Sequence, residues 1–588
     1  MPARRHVPWP QMAIALAALC MVLPLIVKGC SCGHDWDFHL QNWMEVASQW
    51  RHGIVKPVWA FTGAWGAGEP RILLYPPLSM MLGGLLTLVL PFVAVPIAYS
   101  WVALVLSGLS MHWLLRRWVS QPVATLVACL YLANPYSLFV VYERTAYAEL
   151  LAAAWIPLLI GMMLRPRFSA WLLAIPVMLL WMTNAPAAVM GSYTVLVLGV
   201  VRLVAMRREG VAAMLRFAGA VTLGFVTGVL MDAFYLLPVM RERALVQIDM
   251  VLIPGMRPID NFLFEKIGDG PHDAVLVTVS WIAVAMVATA LSCGWAMLLR
   301  PEQTARLAGM RAEQEVARES TAKRLAIAPL LAMSAFILLL LLPWSAPVWR
   351  LAPQLRFLQF PWRWLAVEGV VAGGLMAMMF DRMLSHAKAQ VRLRWVLIGG
   401  VMFVLLGGLY GDHEFRLRCD APDEIAELHS AFERGEGVDA TDEYTPAAVE
   451  NDALGKHLPG AWITRHALLP SVKDADVAQT NGTLVAVTGP HPDDLFYSAR
   501  SDVGGAALVV RVRDFAGWHV MRDGVELHDL PHREDGLIAV ALPPGAMHTV
   551  ELRYRKTPDQ WAGAGVSALA MLVFVGVGWR RSGIIKPT

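Results

Sequence analysis

The stretch Gly33-His34-Asp35-Trp36-Asp37-Phe38-His39-Leu40 comes directly after an apolar run over 11–27. That run is long enough for a helix to cross a hydrocarbon layer, where backbone N–H and C=O groups find no water and must pair within the segment. The stretch after it puts two carboxylates and two imidazoles at a bilayer surface. Ionisable groups in that position point to chemistry.

Composition agrees with the membrane reading. The chain has 588 residues, 57% hydrophobic and 16% charged, with mean hydropathy +0.50. This exceeds what a water-soluble core needs and defines a polytopic integral membrane protein. A net charge of +3 gives no basic face, so no nucleic-acid partner is expected.

Full crossings are expected near 11–27, 97–115, 122–141, 147–164, 168–183, 186–205, 214–238, 275–299, 325–343, 363–381, 395–411 and 561–579. Basic clusters then assign the cytoplasmic face: Arg4-Arg5, Arg116-Arg117, Arg165 with Arg167, Arg207-Arg208, the loops 300–324 and 382–394, and Arg580-Arg581. Both termini fall inside. The segment 73–95 is apolar but broken by Pro76-Pro77 and Pro91, and reads as re-entrant or surface-lying; a thirteenth crossing is the alternative. The first run also fits a signal peptide, with Val27-Lys28-Gly29-Cys30 loosely like a lipoprotein cleavage site. Lysine is unusual there, and eleven further spans make cleavage unnecessary.

The domains read as 1–411, a transmembrane domain with outer loops 28–72, 239–274 and 345–362; 412–560, an extracytoplasmic block; and 561–588, a final helix with a basic cytoplasmic tail. The fold class is therefore mainly α, polytopic, with 12–13 transmembrane helices and a small extracytoplasmic β-sandwich before the last one. Cys20, Cys129 and Cys293 lie in expected spans and read as small apolar side chains. Cys30, Cys32 and Cys419 fall on the outer side, where one bridge from Cys419 to the Cys30/Cys32 pair is allowed.

In the first outer loop, Trp36, Leu40, Trp43, Ala47 and Trp50 recur at helical period, a stripe suited to the bilayer interface, with Gly53 placed to end the helix. Asp35 and His39 then share one face, while Asp37, Gln41 and Glu45 line another. Capping by Asp35 or Asp37 is the plainer alternative. A glycine- and proline-rich return carries Glu69, Arg71 and Tyr75 back to the membrane; Arg71 suits an oxyanion, or simply pairs with Glu69. Glu149 opens a membrane helix where burial is costly, with Arg144 as its obvious partner. Arg241, Glu242 and Arg243 with Asp249, and Arg356 with Arg363 among aromatics, complete the charged positions near the outer face.

The outer block is acidic to about 452, with a helical linker expected over 423–435. From about 483 the period becomes that of strands. Leu508, Val510 and Val512 alternate with Arg511 and Arg513, and Val550, Leu552 and Tyr554 with Glu551 and Arg553. Asp523-Gly524 and Pro543-Pro544-Gly545 supply turns. This sandwich shows no metal spacing, nucleophile elbow or phosphate loop, so it reads as carbohydrate contact, lid or support.

One span, an outer loop with an early Asp-x-Asp, a Tyr75-Pro76-Pro77 return and many further spans resemble the GT-C superfamily of integral membrane glycosyltransferases. More narrowly, the 34–40 stretch, Gly68-Glu69-Pro70-Arg71, Tyr75-Pro76-Pro77-Leu78, Asn134-Pro135-Tyr136, Arg144 with Ala148-Glu149, and Gln359-Phe360-Pro361-Trp362-Arg363-Trp364 resemble a bacterial membrane family labelled 6-pyruvoyl-tetrahydropterin synthase-related, a label that does not denote an activity. The strand-rich end, with Gly517-Trp518, Arg522-Asp523-Gly524 and the run 542–550, is similar to the tail domain of YfhO-like membrane proteins.

The resemblance implies a multi-pass enzyme of the bacterial inner membrane, active on its extracytoplasmic face. It would transfer a sugar from a polyprenyl-phosphate donor to a glycan, lipid or protein acceptor. By that analogy Asp35 or Asp37 is the catalytic acid, acting as base or metal ligand. Inverting transfer also needs positive charge for the departing phosphate, which Arg71, Arg144 or Arg363 would supply, with Glu149 orienting one of them and His39, Glu69 and Tyr75 lining the substrate. A divalent cation, Mg or Mn, held by Asp35, Asp37 and His39 is a further option. A non-catalytic transporter or flippase, or an assembly scaffold for lipid-linked saccharides, is the alternative from another class. Transport would place ionisable residues deep in spans, whereas most charges here fall in outer loops.

Overall fold

The structure is a computed structural model describing residues 8–298, 313–384, 389–465, 482–487 and 492–582. Arg4-Arg5, the start of the 300–324 loop, part of 382–394 and the end of the basic tail lie outside the described residues, as do the side chains of Arg580-Arg581.

Among the described residues, eight helices are long and apolar enough to cross a membrane: Trp9–Lys28, Phe92–Leu115, Gln121–Arg144, Ala185–Glu209, Val211–Met231, Gly270–Leu298, Pro361–Leu384 and Pro558–Gly576. A ninth candidate, Ala326–Leu341 with Pro343–Leu351, bends by 90° at Leu342. The other expected crossings are helical but differ in form. Residues 147–164 and 168–183 become the short apolar helices Tyr147–Met163 and Ala170–Thr183. The 214–238 crossing breaks at Asp232, and 395–411 lies within the long helix Ala389–Phe415. Within 73–95 the longest helix before Pro91 is Pro77–Val89, whose 13 residues reach about 20 Å, short of a hydrocarbon layer of about 30 Å.

The first helix, α1 (Trp9–Lys28), is part of the main core through Ile14, Ala18, Met21 and Val22. Its last residue, Lys28, pairs with Asp412, which also binds Arg416. The second helix, α2 (Trp36–Arg51), has the expected limits, and Gly53 follows its cap with φ +84°. Its tryptophan stripe packs against protein, however. Trp36, Leu40, Trp43 and Ala47 are buried, and so are Gln41, Asn42 and Glu45 on the opposite side. Chain covers most of it, with Pro77–Val89 on one face and the 60–75 loop and the 419–445 segment on others, while Asp37 and Arg51 stay exposed.

The β-sandwich starts earlier than the strand period indicated. Strand β1 is Ala461–Thr464, followed by β2 (Thr483–Val487), β3 (Asp494–Arg500), β4 (Ala506–Arg513), β5 (Trp518–Arg522), β6 (Val525–Leu527), β7 (Leu537–Leu542) and β8 (Met547–Tyr554). They form antiparallel sheets of order β1-β4-β7 and β2-β3-β8-β5-β6. Leu508, Val510, Ile538 and Val540 of one sheet share a core with Val520, Val550 and Leu552 of the other. The outer face of the three-stranded sheet is covered too, since Val509, Leu537 and Ala539 pack with Ala64 and Ala67 of the first loop. Arg513, placed on a solvated face by simple alternation, is consequently buried.

The acidic segment before the sandwich folds back as a strap over the first loop. Cys32 is disulfide-bonded to Cys419, which settles the open pairing and leaves Cys30 free. Trp36 Nε1 donates to the Asp423 carbonyl at 2.9 Å, the linker helix is Ile425–Glu433, and Val438 N–H donates to the Thr62 carbonyl at 2.9 Å.

Candidate functional site

The turn into α2 is sewn to the end of the Gln121–Arg144 helix. His34 and Asp35 donate their N–H groups to the carbonyls of Glu143 and Arg144 at 3.2 and 3.0 Å. Gly33 permits the approach, because a Cβ there would stand 2.2 Å from the Glu143 carbonyl oxygen. On the other side the chain winds as a single π-turn over Val140–Arg144 and then turns left-handed at Thr145, φ +45°. Such turns recur at functional sites. Here the turn aims Arg144 at Asp35.

Asp35 occupies the N-cap position of α2 but makes no capping bond. Its Oδ2 instead accepts from Arg144 Nη2 at 3.0 Å, with the Asp35 side chain 35% exposed. Behind this pair lies Glu149. Its Oε2 is 3.9 Å from Arg144 Nη1 and 3.5 Å from Arg363 Nε, and its Oε1 accepts from the Tyr136 hydroxyl. Arg363 also donates to the Leu358 carbonyl at 2.9 Å and to Gln359 Oε1 at 3.3 Å. The rings of Phe360 and Trp362 stand 5.4 and 5.2 Å from the Arg144 guanidinium, and Phe360 also lies 5.0 Å from that of Arg363. Two arginines thus share one buried carboxylate, and Arg144 Nη1 and Arg363 Nε keep no hydrogen-bond partner. A cavity of about 20 Å³ opens beside Glu149, Tyr136 and Asn134, room for one water.

Burial raises the Asp35 carboxyl, but Arg144, His39 and Arg363 together bring it below its ordinary value. It is ionised at neutral pH. His39 is 1% exposed, ringed by Phe38, Trp43, Tyr75 and Tyr147 at 5.5 to 6.3 Å. Burial pushes its imidazole down to about 4, against the pull of Asp35, so it is neutral there. Tyr75 sits within the field of Asp35, Arg363, Glu149 and Arg144, although burial is the larger cause of its raised pKa.

Asp37, in contrast, faces out from the first turn of α2. Asp35, Asp37 and His39 therefore do not converge, and among the described residues no group of three His, Cys, Asp or Glu side chains could hold a metal ion. The optional Mg or Mn site on Asp35, Asp37 and His39 does not fit these positions.

Arg71 and Glu69 also separate from the Asp35 cluster. They pair with each other at 3.3 Å, fully buried. Arg71 Nη1 reaches Gln41 Oε1 at 3.4 Å and Thr441 Oγ1 at 3.3 Å, while Glu69 Oε2 accepts from Thr441 N–H at 3.0 Å. Phe38 separates the clusters, its ring 5.5 Å from the Arg71 guanidinium and 5.1 Å from Tyr75. Of the remaining charged positions, Arg356 meets Asp249 at 3.7 Å on the surface, and Glu242 is buried against Thr557 and Gln560 of the last helix segment.

Tyr136, Gln359, Thr441 and Arg513 were not singled out as site residues from sequence. Tyr136 and Gln359 do stand inside quoted motifs, whereas nothing local marks Thr441 or Arg513.

The fold and the site define a multi-pass helical membrane protein with a buried arginine–carboxylate cluster where the turn into α2 meets the end of the Gln121–Arg144 helix. No family model and no curated protein matches the sequence. Among solved structures, ArnT from Cupriavidus metallidurans, in a crystal structure bound to undecaprenyl phosphate, aligns over 73% of this chain and 88% of its own at 12% identity. The TM-score is 0.29, too low to establish a common fold.

Proposed function

We propose that this protein is an integral membrane glycosyltransferase of the GT-C kind, moving a sugar from a polyprenyl-phosphate donor to an extracytoplasmic glycan, lipid or protein acceptor. The observation that carries this reading is the half-open Asp35 carboxylate tied to Arg144, itself one of two arginines that each keep one buried nitrogen, Arg144 Nη1 and Arg363 Nε, facing Glu149 without a hydrogen bond. Asp35 takes the proton of the acceptor hydroxyl. The acceptor oxygen bonds to the anomeric carbon, the bond from that carbon to the phosphate oxygen breaks, and its electron pair leaves with the lipid phosphate. The unbonded donors of Arg144 and Arg363 receive the new charge. As Arg144 turns toward the phosphate its hold on Asp35 weakens, which raises the Asp35 carboxyl and lets it keep the proton. Glu149, fixed by Tyr136, holds the two arginines together. The Cys32–Cys419 bridge is consistent with an oxidising, extracytoplasmic location for this face.

The test uses purified full-length protein and undecaprenyl-phosphate sugars, with released lipid phosphate as the readout. Asp35→Asn should lower release by about 10²–10⁴-fold, and Asp37→Asn should stay within about twofold because its carboxylate faces away from the cluster. Release by the Asp35→Asn variant at the wild-type rate would end the catalytic reading.

One observation favours the transporter alternative. Glu368 lies fully buried in the Pro361–Leu384 span, with one oxygen bonded to Ser334 and the other unpartnered. Intramembrane carboxyls of this kind serve transport pathways. No lipid phosphate release across a panel of sugars and acceptors would move the assignment there.

A further inference from the structure

Arg513 ends β4, where the register to β7 shifts between Val510 and Arg513. Its backbone N–H donates to the Ala67 carbonyl at 2.9 Å, which pins the sandwich edge to the loop that carries Glu69 and Arg71. The side chain is 0% exposed. Its Nη1 donates to Thr445 Oγ1 at 3.2 Å, while Nε and Nη2 have no hydrogen-bond partner. Arg71 is in the same condition: Nη1 reaches Thr441 and Gln41, Nη2 is unpartnered, and Nε meets Glu69 only as an ion pair without hydrogen-bond alignment. Burial lowers the Arg513 pKa, opposed by the carboxylates of Glu69, Asp535 and Asp439.

Arg71 and, through the Ala67 carbonyl, Arg513 are thus both tied to the 67–71 stretch, and each guanidinium is capped by one threonine hydroxyl of the same strap, four residues apart. A buried guanidinium N–H without an acceptor costs free energy that a ligand oxygen would recover. Surface burial alone would be served as well by apolar residues.

We propose that Arg71 and Arg513 form an oxyanion subsite at the junction of the first loop and the β-sandwich, with Thr441 and Thr445 as the strap hydroxyls that a bound anion displaces. The ligand chemistry is a phosphate or a sugar carboxylate. The subsite rests on the transferase reading only for the identity of the molecule that carries the anion, the second substrate in that case. It also gives the sandwich a binding role.

Binding is measured without turnover, so this proposal and the transferase reading fail separately. Full-length protein in detergent is titrated with inorganic phosphate in one arm and glucuronate in the other, at constant ionic strength, with thermal unfolding as readout. The expected result is saturable stabilisation by one of the two anions, with the apparent Kd at least tenfold weaker in Arg513→Gln and in Arg71→Gln. Thr441→Val combined with Thr445→Val leaves both arginines in place and should tighten binding severalfold. No saturable response to either anion overturns the proposal. So does an Arg513→Gln protein of unchanged elution volume that binds like wild type, and so does unaltered binding in the double threonine variant, which decides the matter if Arg513→Gln does not fold.

Discussion

At the residue scale the two acids of one short motif have opposite fates. Asp35 turns inward to Arg144, and Asp37, two positions on, faces out. Their type and spacing could not separate them, because the partner comes from a helix end 109 residues away. His39 has a testable consequence of its own. Its folded pKa of about 4 lies below the unfolded value of about 6.5. Between those values the unfolded chain binds a proton that the folded chain does not, so stability is full above about pH 6.5 and falls as pH drops toward 4. The amplitude is at most roughly 3 kcal/mol. Asp35 acts lower: its depressed pKa contributes stability above the unfolded value of about 3.9, lost as pH falls further. Denaturant unfolding at pH 7.5 and 5 should show the loss in wild type and a flatter response in His39→Phe; an equal slope in both would remove His39 as its source.

At the element scale, α2 shows how far periodicity carries. The stripe Trp36, Leu40, Trp43 and Ala47 was legible, and it is buried as a stripe should be. Burial of the polar face was not legible, since Gln41 and Glu45 are satisfied by Arg71 and Thr62 from the returning loop. Strand β4 repeats the lesson: alternation located one core face, and the first loop made the other face a second core. The turn before α2 tolerates no side chain. Gly33→Ala should cost about 1–3 kcal/mol in denaturant unfolding, and it should lower transfer by pushing Asp35 off Arg144. A variant as stable and active as wild type would show that the turn can relax away from Glu143.

For the whole molecule, the sandwich and the helical body are locked by Trp59, whose ring stands 5.9 Å from Phe515 and Trp518 and 6.3 Å from Tyr554. Gly68 lies directly against that indole. Trp59→Ala should destabilise by about 3–5 kcal/mol and split one unfolding transition into two, the sandwich melting first. A single unshifted transition would mean that the Cys32–Cys419 bridge and the strap suffice to hold the parts together.

The sequence by itself determined the membrane class, the helical body and the sandwich near the end, and it raised the Glu69–Arg71 and Arg144–Glu149 pairs and a bridge from Cys419 to the Cys30/Cys32 pair, because apolar length, period and short-range charge spacing are local properties. Only the tertiary structure decided that Arg363 joins Glu149 while Arg71 does not, that the acidic segment is a strap, and that Arg513 is buried. Each of these depends on which surfaces far apart in the chain exclude water together, and no local pattern encodes that.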